Sequence, residues 1–157
     1  MGWIKNARNG KKICVECEVA DTPLARSIGL MFARKPKCIL FKFDAEGVYP
    51  IHSFFVNFPF DAVYLDAQMR AVEIFESIEP FTPLVVPRKK AAYLLEMPQR
   101  SAKKLGLVER DAVRIYAGSA KKGGSNGRKN SAGGKKGRRV AKLGQVRRGS
   151  MRTCAKI

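Results

Sequence analysis

The chain has 157 residues, enough for one domain of ordinary size or a smaller domain with an appendage. Hydrophobic residues make up 45%, which excludes a wholly disordered chain, and 31 Lys and Arg against 13 Asp and Glu leave a formal charge of +18. That excess points to a polyanion as partner.

No apolar run approaches the roughly 20 residues needed to span a bilayer, so no membrane partner is expected. The opening Met1-Gly2-Trp3-Ile4-Lys5-Asn6 has neither the apolar stretch of a secretory signal nor the Ser/Thr of a myristoylation site. Four cysteines without an export signal point to a cytoplasmic protein rather than a disulfide scaffold, and leave the redox state of Cys14, Cys17, Cys38 and Cys154 open.

The charge is uneven. Residues 117–157 carry 13 Lys and Arg, no acid, and 9 of the 14 glycines, with no proline and no aromatic. Residues 1–116 hold the other 18 basic residues and all 13 acids, a balance of +5. This break at Tyr116-Ala117-Gly118 divides the chain into a compact domain, 1–116, and a Gly/Lys/Arg-rich extended tail, 117–157. The tail has too little apolar surface to offset the entropy of ordering it.

In chain order, Lys12 to Ala20 alternates, with Ile13, Val15, Cys17 and Val19 on one face, and predicts a half-buried strand. Asp21-Thr22-Pro23 supplies a cap and a first-turn proline for a short helix reaching about Met31. Cys38 to Phe43 is a second strand, closed by a turn at Asp44-Ala45-Glu46-Gly47. His52 to Phe58, rich in Phe and Val, predicts a third, and beyond Pro59 the apolar pattern resumes over Asp61 to Asp66.

Asp66-Ala67-Gln68-Met69 reads as a hairpin turn into Arg70 to Ile78. A loop with Pro80, Pro83 and Pro87 ends in Arg88-Lys89-Lys90, and Ala92 to Met97 is another strand. Ser101 caps a helix over Ala102 to Leu105, stopped by Gly106, and Ala112 to Tyr116 is the last strand. These elements predict a mainly β (α+β) domain: a small antiparallel sandwich or partly open barrel with two short helices.

Several segments of this body are familiar together. Leu24-Ala25-Arg26-Ser27-Ile28-Gly29-Leu30-Met31-Phe32 carries an R-x-x-G-L-M-F pattern. Ile39 to Phe43, His52 through Pro59-Phe60-Asp61 to Leu65-Asp66, and Leu94-Leu95-Glu96-Met97-Pro98 with Leu105-Gly106-Leu107 follow in order. Over residues 13–116 the chain resembles domain-of-unknown-function family 192, in its archaeal form. The resemblance implies a compact β-rich fold and no assigned chemistry. Where that family usually has Gly after the Leu-Glu-x-Pro segment and a Gly-Asp pair near the end, this chain has Gln99-Arg100 and Arg110-Asp111.

An enzyme reading starts from His52 and Asp61, with Glu96 as a third member, since His beside a carboxylate can act as a general base. Against it, His52 opens a predicted strand, and Asp61 after Pro59-Phe60 suits bonding to neighbouring backbone N–H groups. No nucleophile motif, phosphate loop or metal-spaced cluster accompanies them, so no catalytic residue, metal or cofactor is expected. Cys14 and Cys17 form C-x-x-C, half of a zinc site or a redox pair in principle. Residues three apart on a strand face opposite ways, so small structural thiols are the expectation, with Cys38 and Cys154 single and distant.

The tail carries the sharper signal. Lys121-Lys122, Arg128-Lys129, Lys135-Lys136, Arg138-Arg139 and Arg147-Arg148 are paired cations spaced by Gly, Ser and Asn, with Lys142, Arg152 and Lys156 beside them. Such pairs suit a phosphate backbone, each contact releasing condensed counterions, and the absence of aromatics leaves no platform for stacked bases. With Arg88, Lys89 and Lys90 of the body they form the expected RNA-binding set. Ribosomal proteins share this design, a small body with a basic extension. The expectation is a non-enzymatic RNA-binding protein, ribosome-associated, with rRNA and neighbouring ribosomal proteins as partners. The alternatives are a small-ligand-binding or hydrolytic β domain using His52, Asp61 and Glu96, or an architectural DNA-binding protein.

Overall fold

A computed structural model of the protein describes residues 2–116; the predicted tail lies outside them. The elements are β1 (Trp3–Asn6), β2 (Lys12–Cys14), β3 (Cys17–Ala20), α1 (Pro23–Ile28), β4 (Cys38–Gly47) and β5 (Phe60–Leu65). They continue with β6 (Ala71–Ile78), β7 (Ala91–Pro98), α2 (Ser101–Leu105) and β8 (Val113–Tyr116). A five-stranded sheet runs in the order β3-β4-β7-β5-β6, and a smaller one in the order β2-β1-β8. The fold is therefore mostly β with two short helices and two sheets, neither closed into a barrel. No helix among the described residues is long and apolar enough to cross a membrane.

The large sheet is covered on both faces, and its central strands read accordingly. Every residue of β5 is buried. On one face, Cys38, Val63, Leu65, Leu95 and Met97 pack with Ala102 and Leu105 of α2 and with Ile4 and Val113 of the small sheet. On the other face, Ile39, Phe41, Phe60, Ala62, Tyr64 and Leu94 pack under Leu30 and Val56. The period-2 alternation of β4, β5 and β7 sorts successive side chains between these two cores.

Several local expectations hold. Thr22 caps α1, its Oγ1 accepting from the Ala25 N–H at 3.2 Å. Gly106 ends α2 in the left-handed region at φ +57°. The Asp66 turn closes the hairpin, with the Asp66 carboxylate accepting from the Gln68 and Arg70 N–H groups at 2.8 Å.

Other expectations are corrected. The Lys12–Ala20 alternation is not one strand: β2 pairs with β1 in the small sheet, whereas β3 pairs in parallel with β4 in the large one. The break at Val15-Glu16 lets each half find a different partner, and the Val15 N–H turns back to the Gly2 carbonyl. Cys17 then lies opposite Cys38 and the two form a disulfide, Cα–Cα 4.4 Å, closing a 21-residue separation around α1. The expectation of small structural thiols is corrected here: it placed Cys14 and Cys17 on one strand, whereas Cys17 belongs to β3 and bonds Cys38.

His52 to Phe58 is not a strand; it is an irregular segment with a turn at Phe54-Phe55, preceded by an isolated bridge between Ile51 and Val85 that belongs to neither sheet. Its polar pivot is buried Ser53, whose Oγ donates to the Glu79 carbonyl and accepts from the Thr82 N–H, both at 2.6 Å. The predicted turn at Asp44 to Gly47 is instead the far end of β4, which shifts register between Lys42 and Gly47. Ser101 does not cap α2; the Ala102 N–H is satisfied by Asp61 from β5, at 2.9 Å.

Candidate functional site

The R-x-x-G-L-M-F segment closes one side of a pocket against the second face of the large sheet. Arg26 straps α1 to the sheet, donating to the Lys42 carbonyl at 2.9 Å and pairing with Asp44 at 3.0 Å. Gly29 ends the helix at φ +49°, a conformation suited to glycine. It also lets the chain pack closely on the sheet: a Cβ there would lie 3.1 Å from the Phe41 ring and 3.8 Å from Glu96 Oε2. Leu30 is buried, and Met31 turns toward the pocket space.

That space is a cavity of about 220 Å³. Its floor is Phe41, Phe60 and Leu94 of the sheet; its walls are Ile28 and Met31 on one side and Phe43, Tyr49 and Ile51 on the other. The Tyr49 ring stacks on Phe43 with centroids 3.7 Å apart, and its hydroxyl donates to the Ala45 carbonyl at 2.8 Å. The Tyr64 hydroxyl donates to the Tyr49 carbonyl at 2.7 Å, which fixes the aromatic wall.

Glu96 projects from β7 into this apolar space. Its residue exposure is 5%, and Oε2 is buried with no hydrogen-bond partner. Burial alone pushes its carboxyl up to about 8, so at neutral pH it holds its proton. A neutral carboxylic acid presents both an O–H donor and a carbonyl acceptor. In an aromatic-lined cavity this suits a flat, neutral group with an acceptor on its edge.

The proposed triad of His52, Asp61 and Glu96 does not come together. Asp61 sits opposite Met97 in the β5–β7 ladder, whereas Glu96 sits opposite Ala62, so the two carboxyls point to opposite faces of the sheet. Asp61 is fully buried and spent on structure, accepting from the N–H groups of Ser77 and Ala102, each at 2.9 Å. His52 does line the pocket, at its exposed rim, where its Nδ1 accepts from the Phe54 N–H at 3.3 Å.

A run of phenylalanines extends that rim. Phe32, Phe55 and Phe81 all adopt φ between 58° and 60°, costly for a bulky residue, and are 68%, 52% and 55% exposed. Phe32 stacks on Phe55 at 5.1 Å and donates its N–H to the Phe55 carbonyl, and the Phe81 N–H donates to the Ser53 carbonyl. These are sites the sequence reading missed; the usable signal was the Phe-rich segment it took for a strand.

The body's predicted RNA contacts are exposed, and two of them have acidic neighbours. Arg88 Nε bonds Glu73 at 3.3 Å, and Glu73 also accepts from the Arg88 N–H at 2.7 Å. Lys89 pairs with Glu109 at 2.6 Å; Lys90 is exposed beside them. The predicted contacts from Lys121 to Lys156 lie outside the described residues.

Residues 4–115 match the DUF192 family, described as Uncharacterized ACR, COG1430. The chain belongs to this family. UPF0127 protein PF1050 of Pyrococcus furiosus is 27% identical over 70% of this chain and 90% of its own length. UPF0127 protein TK1120 of Thermococcus kodakarensis is 31% identical over 70% of this chain and 71% of its own. Among solved structures, a "putative transcription regulator" from Sinorhizobium meliloti 1021 superposes with a TM-score of 0.66 at 23% identity, covering 73% of this chain and 91% of that one.

These similarities establish the DUF192 fold. The family's two usual glycine positions hold Arg100 at φ +66° and Arg110 at φ +72°, conformations in which glycine is at ease and arginine is strained. Neither residue lines the Glu96 pocket.

Proposed function

We propose that the DUF192 body is a non-enzymatic small-ligand-binding domain whose ligand sits between the aromatic wall and Glu96. One observation carries this reading: a fully desolvated carboxyl with an unpartnered oxygen faces a cavity of ligand size. Leaving such a group unsatisfied costs about 1–3 kcal/mol, a burden that a bound acceptor would lift. Benzamide, flat and neutral with a carbonyl acceptor, is the simplest probe. Titration should shift the Met31 methyl and Glu96 carboxyl resonances together. Resonances that stay put at millimolar benzamide would count against the pocket as a ligand site.

A second reading concerns the rest of the chain. The 13 Lys and Arg of residues 117–157, unaccompanied by any acid, support RNA binding through phosphate neutralisation, with the ribosome as the expected host. If about six to eight of these cations touch phosphates, log K against log[salt] should fall with a slope of roughly −4 to −7. A chain ending at Tyr116 should lose most of that affinity and still unfold cooperatively. Equal RNA affinity with and without residues 117–157 would remove this reading.

A further inference from the structure

We propose that the pocket and its aromatic rim receive unpaired bases of an RNA strand, one purine inserted beside Glu96 and its neighbours stacked on the exposed phenylalanines. This inference rests on the ligand-binding reading of the same pocket and names its ligand. Three features of the molecule converge on it.

The first is size and chemistry. A cavity of about 150 Å³ accommodates benzene, and this one, at about 220 Å³, has room for a second fused ring. A carboxylic acid that donates from one oxygen and accepts at the other matches the adjacent acceptor and amino donor on the edge of adenine. The flanking Phe41, Phe43 and Tyr49 supply flat apolar surface for the ring faces.

The second is the rim. Phe32, Phe54 and Phe55 are 68%, 41% and 52% exposed and lie within two residues of the pocket-lining Met31, His52 and Val56; Phe81, 55% exposed, is tied to this segment by its N–H bond to the Ser53 carbonyl. Aromatic side chains left in water beside a pocket are the platform on which single-stranded bases stack, a contact that tolerates any base. Sustaining Phe32, Phe55 and Phe81 in the left-handed region requires the surrounding bonds, such as those around Ser53, and positions their rings outward.

The third is charge. The formal charge of +18 favours a polyanionic strand over a free neutral ligand. Contacts of one strand with both the pocket and the phenylalanine rim raise each other's effective concentration.

The test uses the full chain with Met methyl groups labelled, and three probes: benzamide, adenosine and an adenosine decanucleotide RNA. Adenosine and the decanucleotide should both shift Met31, with the decanucleotide bound at least about a hundredfold more tightly at low salt. Glu96→Leu should weaken both by roughly tenfold or more, through the lost base-edge bonds. Phe55→Ala, at an exposed position, should weaken the decanucleotide by about fivefold or more and leave adenosine nearly unchanged.

Benzamide binding without any response to adenosine or the decanucleotide would overturn the nucleobase and keep the pocket. Silence toward all three probes would remove the pocket reading itself. Equal affinity for adenosine and the decanucleotide would make a free nucleoside the ligand and overturn the RNA source. A decanucleotide that binds tightly with Met31 unmoved, and with both variants unaffected, is held by charge alone, and the inference fails.

Discussion

Replacing Glu96 by Gln keeps the shape of the side chain and removes its titration. In the folded protein burial raises the Glu96 carboxyl from its ordinary 4.5 to about 8. Between those values the folded state keeps the proton and the unfolded state gives it up, so stability falls as pH rises. The contribution is fully present below pH 4.5 and is gone once pH passes about 8. The slope is about 1.4 kcal/mol per pH unit, which amounts to about 3 kcal/mol by pH 7 and about 5 kcal/mol in all. Urea unfolding of the wild type and of Glu96→Gln at half-unit steps from pH 4.5 to 8.5 isolates this term, because other groups cancel in the difference. The Gln variant should gain on the wild type steadily through that range. Glu96→Leu should go further at every pH, since an apolar side chain beside Phe41 and Leu94 leaves no polar atom unpaired. A wild-type-minus-Gln difference that stays flat within about 0.5 kcal/mol would refute the claim that this carboxyl is buried and uncompensated.

Three further outcomes follow from named contacts. Cys17→Ser with Cys38→Ser should cost about 3 kcal/mol in chemical denaturation, the chain entropy of a 21-residue loop; an unchanged urea midpoint would show that the bond contributes nothing. Arg100→Gly and Arg110→Gly should each raise stability by about 1 kcal/mol by relieving left-handed strain, read as a higher urea midpoint at unchanged m; a lower midpoint would show that the arginine side chains contribute more than the strain costs. Asp61→Ala should destabilise by about 2–4 kcal/mol, since it strips acceptors from both the Ser77 and the Ala102 N–H groups, and it should leave benzamide affinity unchanged in protein that remains folded.

What the sequence made legible was what depends on neighbours along the chain. The Thr22 cap, the Asp66 turn, the Gly106 stop and the strand at Ala92 to Met97 are local, and they appear where the residue pattern places them. What it hid depends on pairing across the fold. Cys17 meets Cys38 only because β3 leaves the small sheet and aligns in parallel with β4. Arg88 and Lys89 read as a free basic patch until Glu73 and Glu109, 15 and 20 residues away, close on them. His52 to Phe58 has strand composition, yet buried Ser53 and left-handed Phe55 make it the wall and rim of a pocket. Glu96 stood out as a candidate from the start. That its oxygen would lack a partner, and that Asp61 would face the other side of the sheet, are consequences of register alone.

The distribution of unfavourable features in this fold is itself informative. Elsewhere in the body, buried polar groups are matched: Asn6 bonds Asp111, Glu73 takes two N–H groups, and Asp61 takes two more. Around the Glu96 pocket the opposite holds, with an unpartnered carboxyl and two stacked phenylalanines in a conformation that disfavours them. Each of these would be easy to improve for stability, by Leu at 96 or by a small polar residue at 32 or 55. A fold covered on both faces of its large sheet has stability to spare for such a region. Left-handed residues also occur away from the cavity, at Met69, Ser77, Arg100 and Arg110, so it is the unpartnered carboxyl together with the strained phenylalanines that marks this cavity as the place where stability is exchanged for binding.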